Sequence, residues 1–237
     1  MIQTLVVTKG NDLQSARVRR LGALGDLRPR VNLSARVQAQ PGRSWGPRTV
    51  SDSQLIFVLS GKLWVRLGSK EFTAGRGHCV FYGPDSPHWI IASEAEPCAF
   101  VYVHFDWDAW HRRPIHPYWG VHECGFEELD QEPVTHLITV EGREIAFPHF
   151  ISAPSLEPVF VDLAREFRHD ALGNDVVLSC LLMQIIAKIL RRSLESPLSV
   201  AAREKVRQAV AAIQEFPSKR WRVPELARLC GYHPTYF

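Results

Sequence analysis

Between Val31 and His104, apolar and polar positions alternate in short runs. Gln54–Leu59 is an apolar block, after which Leu63, Val65 and Leu67 alternate with Lys62, Trp64 and Arg66. Glu71–Thr73, His78–Tyr82 and Ala99–Phe105 continue the pattern, separated by Ser60-Gly61, Gly68-Ser69, Gly75 and Gly77, and the stretch "GPDSPH" at 83–88. A period near two, broken by Gly and Pro turns, predicts antiparallel strands in a sandwich or barrel. Residues 106–150 read mainly as loop, with closing strands at Thr135–Val140 and Glu144–Phe147.

Past Phe150 the period lengthens. Ser155 is placed to cap a helix with Pro158 in its first turn, and Phe160, Leu163, Ala164 and Phe167 fall at i, i+3, i+4 and i+7. Gly173 interrupts. Asp175–Glu195 is then the longest predicted helix, and Gln184, Lys188, Arg191 and Glu195 form its single polar stripe. So broad an apolar face predicts two partners: the preceding helix and a second subunit, with Val177, Leu181, Leu182, Ile185 and Ile189 at the dimer contact. "ESPLSVA" (195–201) reads as a linker, Arg203–Phe216 as another helix, and Val223–Cys230 as a short one ended by Gly231.

Composition narrows the class. A chain with 46% hydrophobic and 22% charged residues can form an ordinary core. Five scattered cysteines without a CxxC pair fit reduced thiols. Met1–Gly10 lacks the features of a signal peptide. Val176–Leu190, interrupted by Ser179, Gln184 and Lys188, is too short and polar to span a bilayer. The expectation is a soluble cytoplasmic protein with no membrane partner. Charge is unevenly spread: residues 191–237 carry 9 Lys and Arg against 4 Glu, whereas residues 1–190 are slightly acidic. A basic tail on an acidic body suggests an end that binds a polyanion.

That tail contains "VPELARLCGYHPTYF" (223–237). Ala227 is the small residue a helix-turn-helix needs at its crossing, Gly231 the turn, and Leu226, Cys230, Tyr232 and Phe237 the apolar anchors. Pro234 suits the first turn of a second helix. With the helix before it, "KVRQAVAAIQEFPSKRWRVPELARLCGYHPTYF" resembles the start of the DNA-binding domain of AraC/XylS-family transcription regulators. The resemblance covers residues 203–237, with His233 where the family usually has a Ser cap and Arg222 where it often has Ser or Thr. It implies a second helix lying in the major groove, and Arg222, Arg228, His233, Thr235 and Tyr236 as the DNA-facing residues. It also implies a domain holding two such motifs, so the sequence stops one turn into the first recognition helix.

Upstream, "LIFVLSGKLWVRLGSKEFTAGRGHCVFYGPDSPHWI" (55–90) is similar to the cupin-like effector domain of those regulators. A metallo-cupin needs two His and a Glu around its first motif and a His in its second. The first-motif stretch "RSWGPRTVSDSQL" (43–55) holds neither His nor Glu, and only His88 stands in the second. No metal ligands, cofactor or catalytic residues are therefore proposed. The later His104, His111, His116, His122, His136 and His149, with Glu123 and Cys124, match no metal spacing. The resemblance implies an effector pocket, for which Arg48, His88, Trp89, Trp45, Phe57, Tyr82 and His104 are the candidates. Seven Trp make a sugar one possible ligand class. For the basic segment of Arg17, Arg19, Arg20, Arg28 and Arg30 the resemblance implies an arm that folds over the ligand or touches the DNA-binding half, and a plain solvated extension is the alternative.

The expectation is an α+β protein: an antiparallel cupin-like β-barrel (double-stranded β-helix) over 1–152, a two-helix dimerisation segment over 153–197, and a partial all-α helix-turn-helix domain over 198–237. Its function would be that of a ligand-responsive regulator whose partners are a small-molecule effector, a second copy of itself and, in the complete protein, double-stranded DNA, which this sequence alone should bind weakly. A cupin-type metal isomerase or dioxygenase with a helical tail, and a sensor module that binds no DNA, are the alternatives.

Overall fold

The computed structural model describes residues 17–108, 120–169, 171–194 and 197–233, with backbone alone for 197–205. The chain divides into two compact units, Met1–Arg192 and Ser193–Phe237. The first unit is built on three sheets. One is the short sheet β1-β11-β12, from β1 (Val18–Ala23), β11 (Thr135–Val140) and β12 (Arg143–Ala146). A second has the order β10-β3-β8-β5-β6, from β3 (Ser44–Val50), β5 (Lys62–Leu67), β6 (Lys70–Gly75), β8 (His88–Ala92) and β10 (Val121–Glu123). The third runs β13-β7-β4-β9-β2, from β2 (Arg30–Ala39), β4 (Ser53–Ser60), β7 (His78–Tyr82), β9 (Cys98–Asp106) and β13 (Phe150–Ser152). All pairs within the two five-stranded sheets are antiparallel.

The third sheet is buried on both faces, which explains why β4 reads as an unbroken apolar block rather than an alternation. Successive side chains point to opposite faces. Ile56 and Val58 join Val80, Tyr82 and Phe100 in a core between the two five-stranded sheets. Leu55, Phe57 and Leu59 join Cys79, Phe81, Val101 and Phe105 in a second core, against helices. By contrast β8 alternates: His88, Ile90 and Ala92 are buried, and Trp89 and Ile91 only partly so.

The helices supply the other half of that second core. α1 (Glu157–Glu166) buries Val159, Phe160, Leu163 and Ala164, and Phe160 stacks on Phe57 with ring centroids 4.8 Å apart. α2 (Asn174–Leu194) buries Leu178, Leu182, Ile185, Ile186, Ile189 and Leu190, the i, i+4, i+7, i+8 stripe of a helix with one buried face. The Ser179 hydroxyl donates to the Pro29 carbonyl at 2.8 Å, tying α2 to the entry of β2.

Several expectations change here. Leu182, Ile185 and Ile189 are fully buried in the chain's own core, so they are not available to a second subunit. Leu181 is partly buried against that core, while Val177 is 43% exposed. Of the 153–197 segment, residues 153–192 belong to the barrel's unit rather than standing apart, because their apolar stripe covers the outer face of the third sheet, and 193–197 fall in the second unit. Ser155 makes no cap: a 3-10 turn over Pro154–Leu156 precedes α1, and Leu156 is its N-cap. Residues 18–23 form β1, paired in parallel with β11, rather than an arm or extension. Arg17 donates to the Asp85 carbonyl at 2.8 Å, and Arg20 pairs with Glu144 at 2.8 Å.

The second unit contains α3 (Pro197–Glu215) and α4 (Val223–Leu229). Helical backbone begins at Pro197, inside the stretch expected to be a linker. At the start of α4 the Arg222 N–H donates to Glu225 Oε2 at 2.9 Å, so the carboxylate covers a free amide. At its end, Gly231 has φ of 71°, Gly231 N–H donates to the Arg228 carbonyl at 3.1 Å, and Tyr232 N–H reaches the Ala227 carbonyl at 2.8 Å. That is the Schellman arrangement, and it accounts for glycine at this position. Ala227 is fully buried.

Candidate functional site

Trp45 and Arg48 lie three residues apart on β3, so in a regular strand they would point to opposite faces. Both nonetheless line a cavity between the two five-stranded sheets. The β3–β8 pairing shifts register between them, at Gly46-Pro47. Gly46 has φ of 100°, and a Cβ there would lie 2.5 Å from the His88 carbonyl oxygen. Only glycine permits this close approach, and the resulting bulge turns Arg48 inward opposite His88.

A chain of polar contacts stands behind Arg48. Its Nε donates to His88 Nε2 at 3.2 Å, and His88 Nδ1–H donates to the Ser86 carbonyl at 3.0 Å. This ring is therefore a neutral Nδ1–H tautomer whose lone pair is committed to the guanidinium. Burial, then the adjacent Arg48 charge, hold its pKa down to about 3. Tyr82 stacks on His88 at 3.8 Å between ring centroids, and its hydroxyl donates to Gln54 Oε1. Burial pushes the phenol up to about 12, opposed by Arg48. Gln54 is itself buried, lines the cavity, and its amide nitrogen donates to nothing among the described residues.

His104 forms a second polar wall. Its Nδ1–H donates to Asp52 Oδ1 at 2.8 Å, and both residues are buried. The Asn32 amide nitrogen holds Asp52 Oδ2 at 3.0 Å and Asp106 Oδ2 at 3.1 Å. His104 thus has its orientation set from behind, with Tyr102 packed edge-on at 5.6 Å. Leu33, Val37, Ile56, Ile90, Phe100 and Val121 complete the lining of a cavity of about 380 Å³. That volume is in the range of small-molecule sites, and no carboxylate stands among the lining residues.

Of the residues proposed from sequence, Arg48, Trp45 and His104 line the cavity. His88 and Tyr82 sit one layer behind, as supports. Phe57 is on the opposite face of β4, against Phe160. Trp89 points out of the barrel, where it packs on Trp64 and Phe126 and donates to Ser44 Oγ at 2.7 Å. Neither of these two belongs to the cavity, because strand parity turns them away from it. Gln54, Ile56, Phe100, Tyr102, Leu33, Val37, Ile90 and Val121 were missed. The signal for Gln54 was a polar residue opening an apolar block, at even spacing from Ile56 and Val58.

The same residues test whether the barrel suits a metal. His88 offers no lone pair, because Arg48 occupies Nε2 and Ser86 takes the Nδ1 proton. The guanidinium beside it would also repel a cation. Among the described residues no group of three His, Cys, Asp or Glu could hold a metal ion. His122 is exposed on β10, while His136 and His149 both pack on Phe81, with no third His, Cys, Asp or Glu grouped with them among the described residues. His111 and His116 lie outside the described residues. The donor set does not fit a cupin metal.

Residues 35–112 match the family described as Cupin domain. The sandwich has the cupin fold. Among solved structures, an oxalate decarboxylase from B. subtilis is 18% identical over 38% of this chain and 23% of its own, with a TM-score of 0.32. A protein of unknown function from Rhizobium leguminosarum is 26% identical over 36% of this chain and 75% of its own, with a TM-score of 0.29. A cupin protein from Bacteroides fragilis is 16% identical over 34% of this chain and 68% of its own, with a TM-score of 0.29. The chain thus spans under a quarter of the decarboxylase's length. No curated protein matches the sequence. A cupin match gives a fold and does not choose between catalysis and sensing.

Among the dimer and DNA candidates, Val177, Arg222, Arg228 and His233 are exposed. Thr235 and Tyr236 lie outside the described residues. No described helix is long and apolar enough to cross a membrane.

Proposed function

We propose that this protein is a ligand-responsive transcription regulator. Its barrel binds a small-molecule effector without metal and without transforming it, the chain pairs with a second copy, and the second unit engages duplex DNA in the cytoplasm. The observation that carries the reading is the cavity itself. It offers a guanidinium, an amide and an imidazole held in place from behind, and among the described residues neither a metal donor set nor an activated nucleophile beside them. α4, with its carboxylate-covered start and Gly231 turn, supports the DNA-binding half through the resemblance noted for residues 203–237. Exposed Arg222 and Arg228 add positive charge there. Free cysteines at Cys79, Cys98, Cys124, Cys180 and Cys230 suit a reducing compartment. Effector binding would act by favouring one arrangement of the assembled units.

Two measurements test this. Native mass spectrometry with metal analysis should find no stoichiometric iron, manganese or zinc; a full equivalent of any of them would overturn the metal-free sensor. Fluorescence anisotropy should show duplex DNA binding that weakens steeply between low and physiological salt, as phosphate contacts require. Binding that shows no loss between low and physiological salt would sink the DNA-binding half.

A further inference from the structure

The cavity is built for one kind of head group. Arg48 enters it on a bulge that no other residue than glycine permits at position 46, and its Nε is bound to a neutral ring rather than to an acid. Among the described residues no carboxylate lies within ion-pair distance of this guanidinium. Asp52, the nearest buried acid of the network, is already held by His104 and Asn32. Glu123 stands opposite Arg48 in the β10–β3 pairing but is exposed and forms no ion pair with it among the described residues, so the outer edge of this half-buried fork suits a planar anion. Gln54 places a second unused donor on the same lining: its oxygen is taken by Tyr82, and its nitrogen faces no partner. Apart from His104 and Tyr102, the remaining wall is hydrocarbon and aromatic, from Leu33, Val37, Ile56, Ile90, Phe100 and Val121.

We infer that the effector is a small amphipathic carboxylic acid, bound as its anion with the carboxylate across Arg48 and the Gln54 amide and its apolar body against the opposite wall. This rests on the reading of the barrel as an effector site, and it goes further by naming the chemistry. A sugar fits less well. Its hydroxyls need acceptors as well as donors all round, and burying them against Leu33, Val37 and Ile90 would leave hydrogen bonds unmade. A carboxylate presents acceptors only, at one end, and so matches the two neighbouring donors of Arg48 and Gln54.

The test uses isothermal titration of the full chain with benzoate, phenylacetate and hexanoate, against benzamide as a neutral match and D-glucose as the sugar. At least one acid should bind, with benzamide at least tenfold weaker and glucose without measurable heat. Arg48→Met should weaken that acid at least tenfold while the melting temperature of the unliganded protein holds or rises, because an uncompensated buried charge is removed. Arg48→Lys should restore part of the affinity, which a purely structural role would not produce. Should Arg48→Met fail to fold, Gln54→Leu provides the second variant, with a several-fold loss expected. Benzamide or glucose binding as tightly as the acids, silence from all three acids at millimolar concentration, or unchanged affinity in both variants would overturn the ligand class. Mass spectrometry of the recovered acid separates the two layers: a chemically altered acid sinks the sensor reading and leaves the carboxylate site standing.

Discussion

A methyl group at Gly46 would meet the His88 carbonyl oxygen at 2.5 Å, in a backbone whose φ of 100° side chains rarely adopt. Both effects act on the bulge that aims Arg48. Gly46→Ala should therefore destabilise the barrel by about 2–3 kcal/mol, lowering its melting temperature by roughly 5–10 °C. It should also weaken effector binding, because Arg48 loses its position opposite His88. A melting temperature within about 1 °C of the parent, in a thermal scan, would show the bulge to be dispensable. Of the residues named from sequence, Trp45, Arg48 and His104 line the cavity. The assignment of Trp89 and Phe57 failed for a simple reason: a neighbour in sequence on a strand points to the other face.

β4 carries this distinction in four consecutive side chains. Gln54 and Ile56 face the cavity; Leu55 and Phe57 face the helices. Phe57 is fully buried and stacked on Phe160, so Phe57→Ala should open a void and cost about 3–5 kcal/mol. Ile56 already borders open space and has fewer contacts to lose. Ile56→Ala should cost about 2 kcal/mol, at the low end for truncating a core aliphatic, and enlarge the cavity instead. Urea denaturation of the two variants decides the matter: equal losses would contradict the two-faced sheet. The apolar block at 54–59 correctly predicted a buried strand. It carried no information about which face met which layer, since both are apolar. The same limit applied to α2, whose stripe was legible while its partner, the outer face of the third sheet, was not.

Two properties belong to the assembled molecule. His88 and His136 are buried neutral, with burial pushing their pKa values down to about 3 and about 4, against about 6.5 in an unfolded chain. His149 shifts in the same direction. Between those values the unfolded chain binds more protons than the folded one. The contribution is therefore complete above pH 6.5 and is lost as pH falls below it, by about 1.4 kcal/mol per pH unit for each buried histidine. Melting temperature should fall between pH 6.5 and 4.5, and His88→Gln should make that fall shallower by about one proton's worth. An unchanged slope would mean that His88 is not buried neutral. The second property is pairing. With Leu182, Ile185 and Ile189 spent on the chain's own core, what α2 offers a second copy is the exposed Val176 and Val177, near Cys180. Sedimentation at micromolar concentration should give a dimer, which Val177→Lys should dissociate; a monomeric parent would remove pairing from the proposal.

By itself the sequence determined that there are short strands followed by helices, where the turns fall, that the chain ends in a basic helical unit, and that the usual metal ligands of a cupin are missing. These follow from local chemistry: period, turn residues, and which side chains are present at all. The tertiary structure alone decided that α1 and α2 close the back of the sheet, that residues 18–23 form a strand, and that Trp45 and Arg48 share a face. It also decided that His88 and Tyr82 stand behind the cavity rather than in it. Each of these depends on how a strand is paired and bulged, and pairing joins residues tens of positions apart whose meeting leaves no periodic trace in the chain.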